Sequence, residues 1–390
     1  MTLLIIITML KAVAEKISNF ILPLWAFQQT QSNDLMSYVR MFEYLPFMVL
    51  GFIIGALVDR VGSRRGFTLG TLGQTAVLAV LAWYGAPSPH LLFLLVFVLM
   101  GMTYFANNSL IVQSRTALPD NRLITYNRYT NMVTNVMESA GPAIIGALLL
   151  VLSYTQALHF SWVLLSVALL LGIMTFRRPP ARGKKPFIPD VIYGFRALYR
   201  LRNLWVLSWW TAFANAVIVV SEVVVMYCAK STFTFTDFQV GLLFAVGGLG
   251  AISGSWLSEH IEQRVGVIRV LAYSIPLIGL AYLFTSLHVT PVTLGAMLFC
   301  ESFLFSLYIV CVRTYRLVVA PADDLGKING ITGSIFKMFI PVSLTLYALW
   351  GNQVSTGVVL GVMGGLFVSG SIVLVASNVL RMQEKLSDNY

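Results

Sequence analysis

Charge is scarce in this chain. Only 11% of its 390 residues are Asp, Glu, Lys or Arg, against about 25% in an average soluble domain, and this leaves too little polar surface for a water-soluble fold. Histidine is also rare: His90, His159, His260 and His288 all fall in connections or at the ends of apolar runs, which disfavours an imidazole-rich metal site. The three cysteines, Cys228, Cys300 and Cys311, lie in or at the ends of apolar runs, and an odd number without loop spacing gives no disulfide framework. They say nothing about the redox compartment. No phosphate-binding glycine loop occurs, and no nucleophile stands at a usable spacing from a base. The chain therefore reads as no enzyme and implies no cofactor and no metal site. An ion gradient is left as the expected energy source.

What the chain has in abundance is apolar sequence: 57% of its residues, with a mean hydropathy of +0.80. Runs of about 20 apolar residues, the length that crosses a hydrocarbon core, recur from Leu3 to near Leu380. Read against Pro, Gly and charge, they predict twelve spans: 3 to 26, 37 to 58, 67 to 86, 91 to 112, 125 to 151, 158 to 176, 203 to 228, 238 to 258, 267 to 287, 290 to 313, 328 to 349 and 356 to 380. The first is longer than a signal-peptide core and has Lys11, Glu15 and Lys16 in its middle, so it is read as a retained helix. The connections after spans 2, 4, 6, 8 and 10, together with the tail, hold 21 of the 26 Lys and Arg residues. The opposite side has only Lys230. By the positive-inside rule both termini are expected in the cytoplasm. The net charge of +10 is then an orientation signal, and no nucleic-acid partner is needed to explain it.

The most basic connection, 177–202, joins a Pro- and Arg-rich stretch to DVIYGFRALYRL, whose apolar residues fall at helical spacing, as expected of an interfacial helix on the cytoplasmic membrane surface. It predicts the boundary between two six-helix bundles, 1–176 and 203–380, with 381–390 as a cytoplasmic tail. An internal repeat supports the division. PDNRLITYN from Pro119 aligns with PADDLGKIN from Pro321, and Pro142 corresponds to Pro341. The expected fold is an all-α membrane protein of two pseudo-symmetric halves, with a substrate site near the midplane between them.

After span 2 the chain reads GALVDRVGSRR. Gly55 allows close helix contact, Asp59 can accept from helix N-terminal amides or an arginine, Gly62 permits a tight turn, and Arg60, Arg64 and Arg65 face the cytoplasm. This resembles the loop motif of the major facilitator superfamily, which implies a gating charge network in that segment. GSWLSEHIEQR from Gly254 is similar to a decayed second copy, with Glu259 near the acidic position. In span 5, ESAGPAIIGA resembles the motif of drug and proton antiporters: Gly141 and Gly146 thin the helix for packing, and Pro142 bends it. AEKISNFILPLWAF in span 1 and YLPFMVLGFIIGALVDR in span 2 resemble the branch with macrolide efflux proteins and the exporter of the siderophore enterobactin. Glu15 falls where that branch often has an aspartate after a glycine, although Ala14 replaces the glycine. The same pattern is also similar to ferroportin-type metal exporters.

Charge at membrane depth costs at least about 2.5 kcal/mol per residue and marks candidate functional sites. Lys11 and Glu15, four apart, and Arg40 and Glu43, three apart, can pair on one helix face; each pair can equally be a structural clamp. Lys16 adjoins the first pair. Glu138 and Lys337 each stand four residues before the proline of their helix, so the repeat places them at matched positions. Glu301 has no cation within one turn, which makes it a candidate for taking up and releasing a proton near neutral pH. Glu222 lies nearer the outer end of its span. Asn107 and Asn108, Asn131 and Asn135, and Asn215 add amides at depth, of which Asn108 and Asn135 are grouped with the charged candidates.

These residues predict a secondary active exporter working by alternating access, exchanging protons for a polar or anionic amphiphilic organic solute. The resemblance implies a siderophore first and a macrolide-like drug second. A divalent metal exporter and a non-transporting membrane receptor are the alternatives. The expected partners are the solute, protons and the lipid bilayer of a cell membrane, the inner one in a Gram-negative cell, with the chain acting as a monomer.

Overall fold

A computed structural model describes residues 1–51, 53–85, 88–176, 187–321, 324–351 and 353–376. All regular structure among them is helical: α1 Thr2–Thr30, α2 Asn33–Leu50, α3 Ile54–Val61, α4 Ser63–Tyr84, α5 Pro89–Ala117, α6 Asp120–Ser139, α7 Gly141–Leu148, α8 Tyr154–Thr175, α9 Phe187–Arg200, α10 Arg202–Ser231, α11 Asp237–Val265, α12 Val267–Leu287, α13 Pro291–Val319, α14 Leu325–Ile335, α15 Ile340–Trp350 and α16 Thr356–Ala376.

Three of the expected spans are broken. Span 2 divides into α2 and α3, where Gly51 caps α2 and the Ile53 amide donates to the Leu50 carbonyl at 2.9 Å. Span 5 divides at Ala140, directly before the Gly141–Pro142 pair that opens α7. Span 11 divides at 336–339, directly before Pro341, so Lys337 sits in the joining turn. Proline has no N–H to donate, and its ring collides with the carbonyl one turn back. Apolarity alone does not register such a break.

Among the described residues nine segments are long and apolar enough to cross a bilayer, α14 and α15 counting as one. The expected count was twelve. The three that fall short of an unbroken apolar helix are α1, with its three central charges, the divided α2 and α3, and the polar α6 with α7. Large apolar side chains nonetheless face outward, Met174 and Phe284 being 83% and 70% exposed, the reverse of a soluble protein.

The chain divides into two compact units, Met1–Phe187 with Thr236–Gly241, and Ile188–Phe235 with Leu242–Tyr390. Taken by itself, each shows the same pairing. In the first, α4 packs on α5 and α8, and α1 on α8, α6 and α7; in the second, α12 packs on α13 and α16, and α10 on α16, α14 and α15. Small residues set these distances. A Cβ on Gly70 of α4 would lie 2.9 Å from Ala106 of α5, and one on Gly279 of α12 would lie 2.9 Å from the Gly364 carbonyl of α16. The turn into the third helix is also repeated: Gly62 before α4 and Gly266 before α12 have φ of 85° and 87°, a region in which side chains are strained.

Candidate functional site

In the first unit, one helical turn separates Lys11 from Glu15 on α1, so both face the same neighbours, α4 and α5. Lys11 Nζ donates to Glu15 Oε1 at 2.8 Å and to Gln74 Oε1 of α4 at 2.7 Å. The Gln74 amide donates back to Glu15 Oε1 at 3.0 Å and to Thr103 Oγ1 of α5 at 2.6 Å. Asn107 Nδ2, one turn along α5, donates to Glu15 Oε2 at 3.0 Å. Lys11 is 1% exposed, Gln74 is fully buried, and the Phe67 ring lies 5.9 Å from the ammonium. A buried cation is tolerable only with a counter-charge and hydrogen bonds. Here both are supplied, and the network carries no net charge.

The second unit builds a different site from the corresponding helices. Glu301 of α13, 4% exposed, accepts from the hydroxyls of Tyr282 of α12 at 2.5 Å and Ser221 of α10 at 2.8 Å, and both donors are fully buried. Further along α13, Tyr308 shares a hydrogen bond of 2.8 Å with Thr211 of α10. Among the described residues no cation pairs with Glu301. Counted from the prolines that open α5 and α13, Glu301 stands about one turn before the place of Thr103 and two before that of Asn107. The two networks thus use equivalent helices at unequal depths, one with an ion pair and one with a carboxyl held by neutral hydroxyls.

The other candidates are distributed more widely. Arg40 and Glu43 form a pair at 2.8 Å on α2, with side chains 15% and 5% exposed. Lys16, about 100° around α1 from Glu15, runs past α7: a Cβ on Gly141 would be 3.1 Å from its Cγ, so the bare glycine makes room for the lysine stem. Gly146, the second small residue of that motif, approaches the start of α11, where a Cβ would be 2.9 Å from the Asp237 carbonyl. Asn108 turns back on its own helix and donates to the Tyr104 carbonyl at 2.8 Å. Its neighbour Asn107 is the amide that reaches Glu15.

In the loop motif, Gly62 has a φ of 85°, Arg60 and Arg65 are exposed, and Arg64 makes a long 3.5 Å contact with the Ile173 carbonyl of α8. The environments of Gly55, Asp59, Asn135 and Glu138 lie outside the described residues, and with them the expected matching of Glu138 to Lys337. Gln74, Thr103, Ser221 and Tyr282 were not anticipated. Each is a polar residue in a largely apolar run, a pattern shared with ordinary helix-stitching residues.

Residues 4–342 match the sequence profile of the Major Facilitator Superfamily. No curated protein matches the chain. Among solved structures, the nucleoside transporter NupG superposes with a TM-score of 0.72 at 14% identity over 98% of each chain. The human organic anion transporter MFSD10 gives 0.65 at 16% identity over 96% of this chain and 98% of that one. A bacterial homologue of the human lysosomal transporter Spinster, inward-facing and unoccupied, gives 0.65 at 14% identity over 98% and 94%. At such identities the likeness is one of fold.

Proposed function

The chain belongs to the Major Facilitator Superfamily, a transporter and not an enzyme, and we propose that it is a proton-coupled secondary exporter of a polar or anionic amphiphilic organic solute. In this reading α1, the broken pair α2 and α3, and the broken pair α6 and α7 also cross the bilayer. The chain then has twelve spans in two six-helix halves, with both termini in the cytoplasm of a cell membrane. Alternating access moves the solute. A siderophore is the first choice and a macrolide-like drug the second.

The observation behind the coupling assignment is the contrast between the two acids. Glu15 has Lys11 as its counter-ion, whereas among the described residues Glu301 is held by the Tyr282 and Ser221 hydroxyls. A carboxyl held by neutral donors can gain a proton without leaving a cation unpaired. That is the property a coupling site needs. The ion-paired network of the first unit suits a solute site, since a charged group on the solute can compete with Lys11 for Glu15.

The test is flux in proteoliposomes under an imposed pH gradient, with a panel of siderophores, macrolides and divalent metals. The parent protein should concentrate at least one organic solute. Glu301→Gln should lose that uphill transport and keep exchange of solute down its own gradient. If Glu301→Gln concentrates solute as well as the parent does, the coupling assignment is wrong. Flux of metals alone would replace the reading with a metal exporter, and no flux of any kind with a receptor.

A further inference from the structure

The segment 177–202 contains eight Lys or Arg residues and one acid, Asp190. Its described helix, α9, sorts its residues by face. Gly194 and Leu198 are buried, Leu198 completely. Phe195 and Tyr199 form one outward ridge, and Arg196 and Arg200 form the adjacent one, both at the four-residue spacing that aligns side chains along a helix. Together with Trp205 in the first turns of α10, these four residues line an open cleft of about 340 Å³, within the range of small-ligand sites.

The cleft is held in shape. Tyr193 of α9 donates to Asp324 Oδ2 at 3.3 Å, the Leu201 amide turns back to the Leu198 carbonyl at 3.1 Å, and Tyr199 meets Trp205 edge to face at 5.6 Å between ring centres. Trp205 continues into Trp209 at 5.5 Å. One wall is therefore aromatic and the other cationic. Among the described residues neither Arg196 nor Arg200 has a carboxylate partner.

From this arrangement we infer that the α9–α10 cleft binds the headgroup of an anionic phospholipid. The guanidinium groups suit a phosphate oxygen pair, which arginine engages in bidentate fashion. Tyr199, 68% exposed, and Trp205 suit the glycerol and upper acyl region, where amphipathic aromatic rings settle at a membrane interface. A soluble anion uses the cationic wall and gains nothing from the aromatic one. The inference rests on the chain being embedded in a bilayer and is independent of which solute it moves.

The test is native mass spectrometry of the full chain, purified in detergent and offered phosphatidylglycerol against phosphatidylcholine of equal chain length. The parent should retain phosphatidylglycerol preferentially. Arg196→Gln with Arg200→Gln should weaken that retention by about thirtyfold, taking each basic residue near an anionic surface as worth about fivefold. The corresponding Lys pair, which keeps charge and loses the bidentate fork, should fall between. All three proteins should elute as the same monodisperse species. Equal retention of the two lipids, or unchanged retention in the Gln pair, overturns the site. Displacement of the lipid by an equal concentration of free glycerol phosphate overturns the lipid assignment, because it makes the aromatic wall irrelevant.

Discussion

Replacing Lys11 by Met removes a fully buried ammonium and leaves Glu15 as an uncompensated charge beside Gln74 and Asn107. Removing one partner of a buried pair costs about 3 to 5 kcal/mol, whereas removing both charges together is often close to neutral. Lys11→Met leaves Glu15, with 16% of its side chain exposed, and belongs at the low end of that range, about 3 kcal/mol, whereas Glu15→Gln leaves the Lys11 ammonium, 2% exposed, and belongs at the high end, about 5 kcal/mol. A neutral interhelical hydrogen bond inside a membrane is worth only about 0.6 kcal/mol on average. The lost bonds alone therefore cannot produce such figures, and the unpaired charge must. In the Lys11→Met/Glu15→Gln double variant the loss should return to about 1 kcal/mol, so that the sum of the single losses overshoots the double by at least about 5 kcal/mol. Equilibrium unfolding in mixed detergent micelles measures all four proteins. Additivity to within about 0.5 kcal/mol would refute the reasoning and mean that the two charges do not depend on each other.

The adjacent amides on α5 should separate in flux assays: Asn107→Ala should lower transport by loosening Glu15, and Asn108→Ala, which loses only a bond within its own helix, should leave transport nearly unchanged. Tyr282→Phe keeps the ring that stacks on Phe367 and removes the hydroxyl from Glu301; melting temperature should shift by no more than a few degrees while proton-driven uptake falls. Gly62→Ala and Gly266→Ala should each lower stability by about 1 to 3 kcal/mol through a positive φ that strains any side chain. Equal melting temperatures for parent and variant would remove the strain argument at that turn.

The helices were legible because bilayer thickness imposes a length and an apolarity on any crossing segment; α12 spans the same residues, 267 to 287, that its apolar run predicts. Pro142 and Pro341 were legible as paired features of a repeat. Their effect, a break in each helix, depends on which neighbours re-satisfy the freed carbonyls, and a hydropathy pattern does not contain that. Lys11 and Glu15 announced themselves as charges in an apolar run and as an i, i+4 pair. Gln74 did not, because its partners lie 59 and 63 positions away on α1 and its amide resembles any other polar residue at depth. The choice between Asn107 and Asn108 turns on about 100° of helix rotation, which is fixed only by how α5 packs on α4 and α2.

The unequal charge of the two networks has an electrical consequence. Lys11 and Glu15 sum to zero, so any displacement of that network through the membrane field involves no work against the potential beyond that of a small dipole. Glu301 has no such balance. Each elementary charge moved through the full field is worth about 2.3 kcal/mol per 100 mV, and a carboxyl that crosses part of that field protonated and returns ionised takes a fraction of this energy in every cycle. Voltage sensitivity, if the transport cycle has any, should therefore vanish with Glu301→Gln and survive the joint neutralisation of Lys11 and Glu15.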